Sequence, residues 1–234
     1  MLPRIRPFLS RFPALTCWMV LGLLLAPLVE AQVVRPPELH RQYHRAETAW
    51  RTGSSMLEAK VRVDRVLNAL PQDADARKLR AEVLLAMDRP ADAFVDAQVA
   101  VDLQPHDPEA LILLCEAARR TDRLDIAAAA LDQAADQVSD DATMHVRLSW
   151  NAAALGSFDK AEAFARIALA ADPNHPACYY QLARAFIQQD DLEEAALTLA
   201  QGFERSLLDA GVIERDGLLA RVAAHEALEN FMEP

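Results

Sequence analysis

The side chains best suited to chemistry near the start of the chain are two histidines and a glutamate. His40, His44 and Glu47 are spaced four and three residues apart, which places them on one face of an α-helix. Imidazole and carboxylate groups are ordinary ligands of Zn²⁺. However, the pattern offers no fourth ligand, and Glu47 falls on the side of the helix that must pack. We therefore predict no metal site, and a metal-dependent or hydrolytic enzyme using this face is the alternative hypothesis.

Other signatures of catalysis are missing from the sequence. The chain has only six glycines and no glycine-rich phosphate loop, and it contains neither a Gly-x-Ser-x-Gly elbow nor a His-Glu-x-x-His motif. Carboxylates such as Asp88, Asp122 and Asp190 cluster at predicted turns, where turn chemistry accounts for them. The sequence thus predicts a protein that is not an enzyme and has no catalytic residue and no cofactor.

The sequence that positions these side chains is periodic. An alanine recurs every 34 residues. This alanine series is Ala59, Ala93, Ala127, Ala161 and Ala195. The position twelve residues later reads Pro71, Pro105, Ser139, Pro173 and Leu207. The register gives five tandem units of 34 residues, at 40–73, 74–107, 108–141, 142–175 and 176–209. A fixed period of this size is typical of stacked-repeat proteins.

Each unit has the pattern of two helices. In unit 108–141 the apolar residues Leu111, Leu114, Cys115 and Ala118 fall at i, i+3, i+4 and i+7, which predicts one face of a first helix. A break at Thr121–Arg123 precedes a second helix whose inward stripe is small. Asp73, Asp107 and Asp141 precede the first helices of units two to four, where their side chains can accept hydrogen bonds from free amide groups. Two helices with small facing stripes can approach closely.

These features resemble the tetratricopeptide repeat family. The resemblance rests on the 34-residue period, the alanine of the second helix, the small residues at the helix crossing and the closing proline. It implies an all-α fold, namely a right-handed α-solenoid of five helix-turn-helix repeats. After residue 209 the register fails, and the spacing of Leu218, Val222 and Phe231 predicts one amphipathic capping helix at 210–234, with a partner-binding tail as the alternative. Glu47, Arg77 and Arg80 depart from the family pattern.

In this family the first helices line a concave groove that binds protein or peptide partners. Carried onto this register, the predicted groove residues are Ile112, Glu116, Arg119, Arg120, Val146, Trp150, Ala153, Tyr180, Arg184 and Ile187. Aromatic residues and arginine dominate interface energetics, so Trp150 and Tyr180 are the expected anchors. These rings could instead pack between neighbouring first helices. The clamp with which some members grip carboxylates is absent, because His44 and Thr48 occupy its Lys and Asn positions.

The first 31 residues differ in composition from the repeats. Arg4, Arg6 and Arg11 precede an apolar run from Ala14 to Val29, and Val29-Glu30-Ala31 resembles a cleavage site. This order predicts a secretory signal peptide at 1–31, and a retained membrane anchor at 14–29 is the alternative. Residues 32–39, with two prolines, are predicted to be a linker.

The net charge of −11 disfavours nucleic acid as a partner, because the phosphate backbone is also negative. Together with the missing catalytic motifs, the family resemblance and the predicted signal peptide, this leads us to expect a non-enzymatic scaffold or adaptor that binds another protein in the bacterial cell envelope. The predicted location is periplasmic or extracellular. A membrane-anchored assembly subunit, held through residues 14–29, is a further alternative.

If residues 1–31 are a cleaved signal peptide, the position of the mature N-terminus can be predicted. Protein purified from its native host should begin at Gln32 or within a few residues of it, as measured by intact-mass spectrometry. Recovery of chains beginning at Met1 in a membrane fraction would favour the anchor, and their recovery in the soluble cytoplasm would contradict export.

Overall fold

The structure, a computed structural model, describes residues 33–232, and every regular element in that part of the chain is a helix. The all-α prediction is therefore confirmed. Ten of these helices form five consecutive pairs: α1 (Pro37–Arg51) with α2 (Met56–Ala69), α3 (Ala74–Ala86) with α4 (Pro90–Leu103), α5 (Pro108–Arg120) with α6 (Leu124–Gln137), α7 (Ala142–Ala154) with α8 (Phe158–Ala171), and α9 (Pro176–Gln188) with α10 (Leu192–Glu204). The predicted signal peptide lies outside the described residues.

The helix starts follow from local sequence. Asp73, Asp107 and Asp141 accept hydrogen bonds from backbone amides two or three residues later, at 2.9 to 3.1 Å, so these predicted caps are confirmed. Helix α1 begins at Pro37, because a proline at the first helical position loses no hydrogen bond. Residues 37–39 therefore belong to α1, and the linker assigned to 32–39 was too long.

The turns inside the pairs share one backbone conformation. Asp88, Asp122 and Asp190 have φ angles of 56°, 60° and 65°, and Gly156 has 76° at the equivalent position. This left-handed region favours glycine, and aspartate tolerates it better than most residues. The carboxylates at these positions thus shape the turns.

The alanine series forms the contact between the helices of each pair. Its five members are completely buried, and Ser149 Oγ donates to the carbonyl oxygen of Ala161 at 2.7 Å. Gly202 of α10 lies at another small position, where an added Cβ atom would be 3.1 Å from Cγ of Tyr179 on the paired helix α9. The backbones approach so closely that larger side chains do not fit.

The pairs stack through shared apolar layers. Each first helix contacts the first helix of the next unit, and each second helix contacts the first helix that follows it. Helix α5 lies in the middle of the array and buries eight of its 13 residues. This arrangement of units that contact mainly their neighbours is that of a solenoid.

The two arginines that depart from the repeat pattern are explained by a buried partner. Asp96 is completely buried in α4 and accepts hydrogen bonds from Arg80 at 2.6 Å and from Arg77 at 2.7 Å. Arg80 also pairs with Asp64 of α2 at 3.1 Å. An ionic network therefore joins α2, α3 and α4.

The C-terminal segment differs from the single capping helix predicted for 210–234. It consists of α11 (Ala210–Arg215), two 3₁₀ turns at Leu219–Val222 and Glu226–Leu228, and α12 (Glu229–Met232). The helix is interrupted because Asp216 caps a new turn through the amides of Leu218 and Leu219. The segment still buries Ile213, Leu219 and Leu228 against the last unit.

Replacing Ala161 with leucine should destabilise the protein, because the added atoms have no room in the contact between α7 and α8. We expect a loss of about 1–3 kcal/mol in the free energy of unfolding, measured by urea denaturation. Ala163→Leu on the exposed side of α8 is the matched control and should change stability little. Equal effects of the two variants would contradict a packing role for the stripe.

Asp96→Ala should also be strongly destabilising, because it leaves two half-buried guanidinium groups without their shared carboxylate. We expect a loss of about 3 kcal/mol or more. The triple variant Arg77→Leu, Arg80→Leu, Asp96→Ala should recover most of this stability, since an apolar replacement removes the charges together. An unchanged urea midpoint for Asp96→Ala would show that the network is not structurally important.

Candidate partner-binding groove

The first helices α1, α3, α5, α7 and α9 lie in sequence along one side of the solenoid, and their free faces carry most of the predicted groove residues. Trp150 of α7 is 43% exposed. The guanidinium of Arg184, from α9, lies 4.9 Å from the centroid of the Trp150 ring, which is a cation–π contact. Arg184 also forms an ion pair with Asp216. Two predicted groove residues are thus brought together, and Arg184 is held from two sides.

Tyr180 contributes less free surface than the sequence suggested. Its hydroxyl oxygen accepts a hydrogen bond from the backbone amide of Asp209 at 3.1 Å, and its ring packs among residues of the C-terminal segment. Val146 and Ala153 are half-buried, and Val146 contacts the small cluster that contains Cys178. The C-terminal segment therefore covers part of the apolar surface of the last unit, and only the remainder is open to a partner.

Two residues of the predicted groove do not line it. Ile112 and Ile187 are almost completely buried, so neither side chain can touch a partner. Ile112 lies in the central core because α5 is flanked by first helices on both sides. Ile187 is covered by the C-terminal segment, whose Arg221 donates to the carbonyl oxygen of Ile187 at 3.2 Å. Both assignments were wrong.

The charged residues predicted for the groove in unit three differ in their surroundings. Arg120 donates to the carbonyl oxygen of Leu85 at 2.8 Å and to the carboxylate of Asp88 at 2.7 Å, so it joins units two and three. Arg119 is half-buried. Glu116 is also half-buried and lines a cavity of about 380 Å³ with Trp50, Glu82, Arg120 and Arg147.

A larger cavity, of about 550 Å³, lies between α1, α3 and α5, at positions that the repeat register assigns to the groove but that we did not select as the partner site. We call it the Trp50 cavity. Its lining residues are Tyr43, Glu47, Trp50, Arg51, Asp75, Lys78, Leu79, Glu82 and Glu109. It adjoins the cavity beside Glu116, because Trp50 and Glu82 line both. The free faces of the first three units therefore form an extended polar depression with aromatic residues in its wall.

The charged side chains of the Trp50 cavity differ in how many oppositely charged partners they have, and Lys78 has three. The ammonium group of Lys78 lies 2.6 Å from Asp107, 3.1 Å from Glu109 and 3.5 Å from Asp75. Burial lowers the pKa of Lys78, but these carboxylates outweigh that effect and the net pKa is raised. Burial also raises the pKa of the Tyr43 hydroxyl, to about 12. Lys78 thus stays charged and fully engaged by carboxylates.

Glu82 differs from the other carboxylates of the Trp50 cavity, because it has no ion-pair partner among the described residues. It accepts a hydrogen bond from Trp50 Nε1 at 2.9 Å. Burial raises the pKa of Glu82, and the nearby charge of Glu109 raises it further. Arg147 and Arg51 act in the opposite direction without cancelling the shift.

His40, His44 and Glu47 do come together on α1. His44 Nε2 lies 3.0 Å from His40 Nε2, and His44 Nδ1 lies 3.3 Å from Glu47. The carboxylate of Glu47 also pairs with Arg51 at 3.0 Å. Within residues 33–232, no group of three His, Cys, Asp or Glu side chains has the geometry of a metal site, and no helix there is long and apolar enough to cross a membrane.

The fold and its inner face define a helical-repeat solenoid of the kind that serves as a scaffold. A family model described as tetratricopeptide repeat matches residues 152–209. This match, the 34-residue period and the stacked helix pairs support the resemblance of the chain to tetratricopeptide repeat proteins.

Solved structures share this fold across most of the chain. TTC0263, a tetratricopeptide repeat protein of Thermus thermophilus, is 24% identical, has a TM-score of 0.64 and matches 81% of this chain and 98% of its own. PilW, a type IV pilus biogenesis factor, is 22% identical, with a TM-score of 0.67 over 84% of this chain and 89% of its own. MamA of Desulfovibrio magneticus RS-1 is 16% identical, with a TM-score of 0.59 over 75% of this chain and 100% of its own. A sequence comparison with curated proteins gave no match.

Proposed function

We propose that this protein is a non-enzymatic scaffold that binds a segment of another protein along the free faces of its first helices. The observation that carries the proposal is Trp150, a residue that is 43% exposed beside the restrained guanidinium of Arg184. A large aromatic ring next to an oriented cation is a common interface anchor. Because Arg184 is already fixed, little side-chain entropy would be lost when a partner covers it.

The proposed site of action is the bacterial cell envelope. The basic start and short apolar run of residues 1–31 support export. The structural similarity to a type IV pilus biogenesis factor makes pilus assembly components the first candidates for the partner. The proposed partner is a protein or peptide segment, since the acidic chain disfavours nucleic acid.

The test begins with affinity capture from the native envelope, identification of the bound protein, and measurement of its Kd with purified components. Trp150→Ala should weaken binding about thirtyfold, which corresponds to about 2 kcal/mol, without a change in melting temperature. Leu197→Ala is the matched control, because Leu197 is similarly exposed, at 40%, on a second helix. An equal Kd for both variants would contradict the proposed anchor, and failure to bind any purified partner would contradict the function.

A further inference from the structure

The Trp50 cavity contains two pairings of an aromatic ring with a carboxylate, and only the first pairing contacts a guanidinium of this chain. Tyr43 and Asp75 are 32 residues apart, and so are Trp50 and Glu82, seven residues further along the same two helices. Each pairing places an aromatic ring of α1 near a carboxylate of α3, at the wall of one cavity. Two helices that pack side by side repeat their contacts about every two turns, so the two pairings occupy corresponding positions along α1 and α3.

The first pairing binds a guanidinium from this chain. Arg35 lies 3.9 Å from the centroid of the Tyr43 ring and donates to Asp75 at 3.1 Å. It also makes two bonds of 2.5 Å to Asp73. The guanidinium of Arg35 thus combines a cation–π contact with charge-assisted hydrogen bonds to carboxylates, which are among the stronger polar interactions in proteins.

The second pairing has the aromatic ring and the carboxylate without a bonded cation. The indole N–H of Trp50 donates to Glu82 and so orients the carboxylate beside the ring. No basic group of residues 33–232 pairs with Glu82 at ion-pair distance. The two basic residues in the wall have other partners. Lys78 is bound by Asp75, Asp107 and Glu109, and Arg51 pairs with Glu47. A partly buried carboxylate without a counterion is destabilised, and a cation that binds there restores the lost interaction.

We propose that the Trp50 cavity is a subsite for an arginine side chain of the partner, with the guanidinium stacked on Trp50 and bonded to Glu82. This inference rests on the proposed function, since it identifies a residue type in the segment that the first helices bind. The wall carries four carboxylates and two basic groups, Arg51 and Lys78. Its net negative charge favours a basic segment on either side of that arginine. The planar guanidinium fits better than an ammonium group, because it can stack and form two directed bonds at once.

The experiment uses the full-length protein and end-blocked hexa-arginine, with hexa-citrulline as the neutral peptide of similar shape. The indole N–H of Trp50 is a direct reporter in a ¹H–¹⁵N nuclear magnetic resonance spectrum, and its signal is assigned by its loss in Trp50→Phe. We expect hexa-arginine to shift this signal with a saturable Kd, hexa-citrulline to leave it unchanged, and hexa-lysine to bind more weakly. Glu82→Gln should weaken hexa-arginine binding about tenfold or more.

The control is Glu193→Gln, which makes the same change in net charge at an exposed position of α10 and should alter the Kd less than about twofold. Equal losses in the two variants would show general attraction to an acidic protein and overturn the proposal. Binding of hexa-arginine without a shift of the Trp50 signal, or equal binding of hexa-lysine, would overturn it as well. Melting temperatures of all variants, measured first, identify any loss that comes from unfolding.

The two proposals fail in different ways. If the captured partner binds the wild type and Glu82→Gln equally well, the arginine subsite is wrong and the scaffold function stands. If no protein partner is found and hexa-arginine still requires Glu82, the cavity is cation-selective and the scaffold function is wrong.

Discussion

The close approach of the two helices in each pair is the constraint on which the rest of the structure depends. The buried alanine series brings the backbones near enough for Ser149 to donate directly to the carbonyl oxygen of Ala161. Alanine buries little apolar area, so a single pair gains too little from its own contact to be stable alone. Stacking against neighbouring pairs supplies the missing burial. The first helices are thereby aligned, and their free faces become the surface on which the candidate sites are built.

The same constraint shows why much of the fold could be predicted. The small residues recur at a fixed interval, and the capping aspartates recur with them. The length of each unit and the start of each first helix can therefore be predicted from the local sequence. The ionic network around Asp96 could not be predicted, because the bonds to Arg77 and Arg80 join residues whose types alone do not reveal that they meet. Asp96 accounts for both arginines at positions that otherwise favour apolar residues.

The C-terminal segment continues the repeat further than the alanine pattern indicated. Asp209 caps α11 at the position that Asp107 occupies before α5, and Arg221 bonds to Ile187 and Asp190 much as Arg120 bonds to Leu85 and Asp88. The segment thus makes the contacts of a sixth first helix without forming a full one. Its effect on the groove was not predictable, since coverage of Ile187 depends on how a broken helix folds back.

The candidate site was the least predictable feature because it depends on side-chain pairing across units. Trp150 and Arg184 were selected by residue type, and the fold brings them together. Trp50 was not selected as a site residue, because one tryptophan among mixed charges does not by itself indicate a binding site. The indication comes from its hydrogen bond to Glu82 on the next first helix. A net charge of −11 adds to this pairing at long range, because an acidic surface draws a basic segment toward it before any bond forms. Long-range attraction is screened by salt, whereas stacking on Trp50 is not. Selectivity for arginine at that cavity should therefore persist at ionic strengths that abolish the general attraction.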